Sequence, residues 1–174
     1  FISYSHADVK WAKWLHRTLE TYRTPRRLLG LKSEQGGAIP SRLSPIFRDR
    51  EEFATSHNLS ESIRDALEQS ENLIVICSPQ AAASKWVNQE IEAFKKLGRQ
   101  QRVFCLIVTG DPAATGTEQD CFPPAIHQSF DATGDAMDSV DPVAADVREH
   151  GDGKALARLK IIAGLLCVRL DDLR

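Results

Sequence analysis

The chain has 174 residues, 42% hydrophobic and 26% charged, with a formal net charge of −2; it is one domain's worth of sequence, long enough to bury roughly 70% of its unfolded surface. That composition excludes collagen-like and disordered classes, and the near-neutral balance gives no overall electrostatic footprint for nucleic acid. No apolar run approaches the roughly 20 residues of a membrane-spanning helix, and the start lacks the basic-then-apolar pattern of a secretory signal.

Phe1-Ile2-Ser3-Tyr4 reads as a short strand, and Ser5-His6-Ala7-Asp8 supplies turn and cap chemistry before a helix. In that helix Trp11, Trp14, Leu15, Leu19 and Tyr22 recur at helical spacing. Residues 24–40, rich in Pro and Gly, form an irregular insertion. Ser44-Pro45-Ile46-Phe47 begins a second strand that ends at a charged run from Arg48 to Glu52, and Leu59, Ile63, Ala66 and Leu67 mark the helix after it. Leu73-Ile74-Val75-Ile76-Cys77 is a continuous apolar run, the pattern of a parallel strand covered on both faces, and Ser78-Pro79 stops it.

Trp86, Val87, Ile91, Phe94 and Leu97 then trace a helix through Glu90 that closes on Gly98. Residues 103–108 form a fourth strand, residues 129–132 a weak fifth, and Leu156, Leu159, Ile162, Ala163, Leu166 and Leu170 a closing helix. Strands alternating with helices imply right-handed crossovers and a parallel α/β sheet covered on both faces. The chain starts on Phe1 without a Met and ends in a helical pattern, as expected of a fragment of a longer protein.

The four cysteines, Cys77, Cys105, Cys121 and Cys167, have no metal or redox spacing and read as free thiols of a reducing, cytoplasmic compartment. The five histidines show no metal-binding pattern, so no metal site is expected. No Gly-rich phosphate cradle of either common type occurs, and Ser78 lacks the surroundings of a nucleophile elbow. Basic residues dominate between Arg23 and Arg50 and acidic ones between Asp131 and Asp152, a polarity that suits head-to-tail self-association and equally suits solvated loops that meet no partner.

In a sheet of this class ligands bind beyond the carboxyl ends of the strands, where the strand order reverses. Three segments converge there: residues 5–8, residues 49–58 and residues 78–90. They bring Ser5, His6, Asp49, Ser84, Trp86 and Glu90 into one candidate site. Trp86 and Glu90, four apart on one helix, set a half-buried carboxylate beside an indole. A single carboxylate suffices to cleave an N-glycosidic bond to a cationic nicotinamide. The leaving group departs neutral, and the need is for negative charge beside an oxocarbenium-like ribose.

Phe1-Ile2-Ser3-Tyr4-Ser5, Phe47-Arg48-Asp49, Leu73 to Pro79 and Trp86-Val87-Asn88-Gln89-Glu90-Ile91 together resemble, in order and spacing, the Toll/interleukin-receptor (TIR) domain family, specifically its bacterial-type NAD-cleaving branch. The resemblance implies a single TIR domain over 1–174, with a flavodoxin-like five-stranded sheet of order 2-1-3-4-5. It implies NAD+ as substrate with no separate cofactor, other TIR domains as partners through homo-oligomerisation, and a role in bacterial-type defence or stress signalling; neither nucleic acid nor membrane is implied. Glu90 would act at the ribose, Trp86 would line its pocket, and Ser5 and His6 would lie beside the dinucleotide. Phe53 and Leu59 would belong to a loop that gates the site and meets a neighbouring subunit. The sequence departs from the family in that loop, where Ala54-Thr55-Ser56-His57-Asn58 replaces a Pro-Gly-like turn, and at Ser5, where some members carry arginine. The alternative within the family is a non-catalytic scaffold. A phospho-receiver, which the sheet order would also suit, lacks its acidic pair at the end of the first strand.

Overall fold

A computed structural model describes residues 1–48, 60–137 and 142–174. Its centre is a parallel sheet of four strands in the order β1 (Ile2–Ser3), β2 (Leu73–Cys77), β3 (Val103–Ile107) and β4 (Ala144–Asp146). Ile2 pairs with Ile74, Val75 with Cys105, and Leu106 with Ala145. All five residues of β2 are buried, the consequence of helices on both faces.

Because side chains alternate across a strand, the sheet divides its apolar residues between two layers. Ile2, Ile74, Ile76 and Leu106 pack beneath helices α1 (Val9–Thr21) and α6 (Gly153–Leu166). Leu73, Val75, Cys77, Cys105 and Ile107 face the opposite layer, formed by α2 (Glu61–Gln69), α4 (Lys85–Phe94) and α5 (Pro124–His127). The insertion is irregular, as its Pro and Gly content requires, but Leu28 and Ile39 are buried in the α1/α6 layer and anchor it. All four cysteines are free; Cys77, Cys105 and Cys121 are buried, and Cys167 is partly exposed.

Two expected strands differ from what forms among the described residues. The second strand, expected at 44–47, is reduced to one parallel bridge between Arg48 and Ile2, with the Ile2 amide donating to the Phe47 carbonyl at 2.9 Å. Pro45 has no amide to give a ladder there. The strand expected at 129–132 does not form. The Asp131 carboxylate instead accepts the amides of Thr133 and Asp135 at 2.8 and 3.0 Å, closing a tight turn. The edge strand beside β3 is β4, which starts at Ala144, beyond that turn. The described residues therefore form four strands in the order β1-β2-β3-β4, with the 44–48 segment bridged to the free edge of β1, and the five-stranded order is not completed among them.

Candidate active site

The site is built where β1 and β2 end. Ser3, the last residue of β1, points into the α2/α4 layer, and its hydroxyl donates to Glu90 Oε2. Glu90 is only 2% exposed, so the expected half-buried carboxylate is in fact a core position. The cause is helical phase: Val87, Glu90, Ile91 and Phe94 form the buried face of α4, and Glu90 shares their side of the helix. An acid at such a position needs a hydrogen-bond partner, and β1 supplies Ser3. That partner lies 87 residues away in the chain.

Trp86 stands one turn before Glu90 and is partly exposed. Ser84 is the N-cap of α4, its hydroxyl accepting the Val87 amide at 3.3 Å. Ser5 is partly exposed and His6 is exposed, in the turn between β1 and α1. The structure thus brings Ser5, His6, Ser84, Trp86 and Glu90 to the carboxyl ends of β1 and β2. Asp49, Phe53 and Leu59 lie outside the described residues.

Three polar residues that the sequence reading did not place in the site join this region. Ser3 is one. The second and third are Asp8 and Ser78, both buried, with the Ser78 hydroxyl donating to Asp8 Oδ2 at 2.5 Å. Asp8 occupies the N-cap position of α1 but makes no side-chain cap bond. Its carboxylate turns to Ser78 instead. Ser78 does not simply stop the strand: it caps α3 (Pro79–Ala83), accepting the Ala81 amide at 3.0 Å, with Pro79 in the first turn. The sequence signal for this pair was the Ser-Pro step, which starts a helix as readily as it ends a strand.

Two cavities lie elsewhere. One of about 830 Å³ opens at the amino ends of β1 and β2, beside Phe1, Asn72 and Ile74. The other, of about 310 Å³, sits between α2 and α4 among Arg64, Gln89 and Lys96. Neither is lined by Glu90 or Trp86, and we locate the site by the buried carboxylate and the strand ends rather than by the size of a hollow. Among the described residues no group of three or more His, Cys, Asp or Glu could hold a metal ion, and no helix is long and apolar enough to cross a membrane.

The chain is similar to a protein of Actinoplanes sp. named NAD(+) hydrolase ApTIR, with 37% identity over 116 residues. The match covers 64% of this chain and 14% of that protein, so the chain spans a small part of its relative's length. No solved structure matches the chain. The family model for the TIR domain matches residues 1–145, from β1 through the beginning of β4 and including every described residue of the candidate site. The chain belongs to the TIR domain family.

Proposed function

We propose that this TIR domain hydrolyses NAD+, releasing nicotinamide, with Glu90 as the catalytic residue. The observation that carries the reading is a carboxylate in the core of the sheet's carboxyl edge, oriented by Ser3 and one helical turn from Trp86. A buried carboxylate is costly to keep, and ligand chemistry at that edge gives it a use. The name of the Actinoplanes relative supports the same substrate.

In the reaction the bond between ribose C1′ and the nicotinamide nitrogen breaks, its electron pair leaving with nicotinamide. Positive charge develops at C1′ and the ring oxygen; water then adds to C1′ and loses a proton, giving ADP-ribose. Glu90, in a site largely stripped of water, opposes that charge more strongly than an exposed acid would. The Ser3 hydroxyl holds the carboxylate in one rotamer, so little reorganisation is needed as charge develops. Trp86 offers an apolar wall, Ser5 and His6 polar contacts to the dinucleotide, and Ser84 fixes the start of α4. Asp49, Phe53 and Leu59 complete the proposed substrate-binding set.

Self-association belongs to the same proposal. Arg23, Arg26, Lys32 and Arg42, in and beside the insertion, are all exposed and supply positive charge there. The acidic segment is less available than its composition implies, since Asp146 is paired with Arg148 at 2.7 Å and Asp152 with Lys160 at 2.5 Å. Charge pairing between copies would fall chiefly to Asp131 and Asp135, both exposed. Cytoplasmic defence or stress signalling is the setting in which such an assembly-controlled activity has a use.

The test is to incubate the domain at high concentration with NAD+ and quantify nicotinamide by chromatography. Accumulation above the rate without protein supports the reading. No release, even after artificial clustering of the domain, would leave the non-catalytic scaffold.

A further inference from the structure

We propose that the hydrogen bond between Ser78 and Asp8 is a second clamp on the loop carrying Ser5 and His6, which makes Asp8 a positioning residue for substrate binding. The substrate part of this inference rests on the NAD+ reading; the clamp rests on geometry alone. Residues 4–7 connect two pinned points. At one end Ser3 is bonded to Glu90 on α4. At the other Asp8 is bonded to Ser78 at the start of α3.

Both pins attach to one continuous unit. Ser84 ends α3, its amide donating to the Ala81 carbonyl at 3.1 Å, and begins α4 by accepting the Val87 amide. The Ser78 hydroxyl donates its proton to Asp8 and accepts the Ala81 amide. Asp8 forgoes the cap bond that its position on α1 ordinarily makes, and the short turn before it is closed by its own amide on the Ser5 carbonyl at 2.8 Å. A buried carboxylate directed away from its local helix, toward a residue 70 positions distant, serves the tertiary arrangement. The bond ties the end of the Ser5–His6 turn to the start of α3 and, through Ser84, to α4.

The two pins have separable effects. Ser3 sets the carboxylate that acts at the ribose, whereas Asp8 sets the loop that would touch the rest of the dinucleotide. Loosening the second should weaken binding in the ground and transition states equally, raising KM while leaving kcat nearly unchanged. A general folding defect would instead lower the active fraction, reducing apparent kcat at constant KM.

The experiment compares wild type, Asp8→Ala and Asp8→Asn, whose amide oxygen still accepts from Ser78. Amide hydrogen exchange of residues 5–7 and steady-state NAD+ cleavage are both read. Asp8→Ser, a good cap residue too short to reach Ser78, replaces Asp8→Ala if that variant does not fold. We expect exchange at least about tenfold faster in Asp8→Ala, and KM raised about tenfold, the cost of re-ordering one or two side chains on binding. Asp8→Asn should restore both to within about twofold. Unchanged exchange in Asp8→Ala, or a fall in kcat at constant KM, overturns the proposal. If wild type cleaves no NAD+ at all, the substrate reading fails, and the exchange data still decide whether the clamp exists.

Discussion

Burial raises the Asp8 carboxyl above its ordinary pKa of 3.8, desolvation outweighing the hydrogen bond from Ser78 that lowers it. Between 3.8 and that raised value the folded chain binds more protons than the unfolded one, so stability falls as pH rises through the window. Above the window the full cost of the buried charge is present; below 3.8 it vanishes. Asp8→Asn should therefore melt at a higher temperature than wild type at neutral pH, with the gap closing near about pH 3. A variant less stable than wild type at both pH values would contradict this. Glu90 shows what single-residue reading could reach: its place on α4 was legible from the spacing of Trp86, Val87, Ile91 and Phe94. Its depth was not, because the hydroxyl that makes burial tolerable sits on β1 and periodicity carries no information about distant partners. Asp8 escaped for the same reason: it reads as a cap, but its partner is Ser78 at the start of α3.

At the scale of elements, three cations close three helices. Arg99 donates to the Leu67, Glu68 and Ser70 carbonyls at the end of α2, and Arg102 to the Gly164 and Leu165 carbonyls of α6. Lys95, itself buried, donates to the carbonyls of Ala125, Ile126 and Gln128 at 2.8, 2.8 and 2.5 Å, fastening α5 to α4. Asn88 completes that contact by accepting the Ala125 amide at 2.8 Å. Lys95→Met should cost about 1–3 kcal/mol in denaturant unfolding, because buried carbonyls lose their donor; no change in midpoint would show that water replaces it. The α6 helix approaches the sheet closely at Gly164, where an added Cβ would stand 2.5 Å from the Phe104 ring. Gly164→Ala should therefore destabilise by about 1–3 kcal/mol by overpacking, and a neutral result would mean that Phe104 has room to turn. Long periodic elements, α1, α4, α6, β2 and β3, were readable because each buries one repeated face. The short helices α3 and α5 were not: both start at prolines, which read equally as stops. Residues 129–132 resembled a strand only because a side-chain-locked turn is as short as one.

For the whole molecule, the sequence and the fold agree on a parallel sheet between two helical layers. If assembly builds the proposed site, turnover per mole should rise steeply with protein concentration, and strict proportionality would count against it. Arg26→Glu with Arg27→Glu should weaken self-association in sedimentation if the insertion provides the positive face; equal sedimentation would remove that surface. The central claim is narrower and rests on Glu90. Its most direct test is nicotinamide release from NAD+ by wild type and by Glu90→Ala at high concentration, with circular dichroism establishing that the variant is folded. We predict release by wild type and a loss of at least about a hundredfold in the variant, the scale on which electrostatic stabilisation of a transition state acts. Equal release from both would contradict the account.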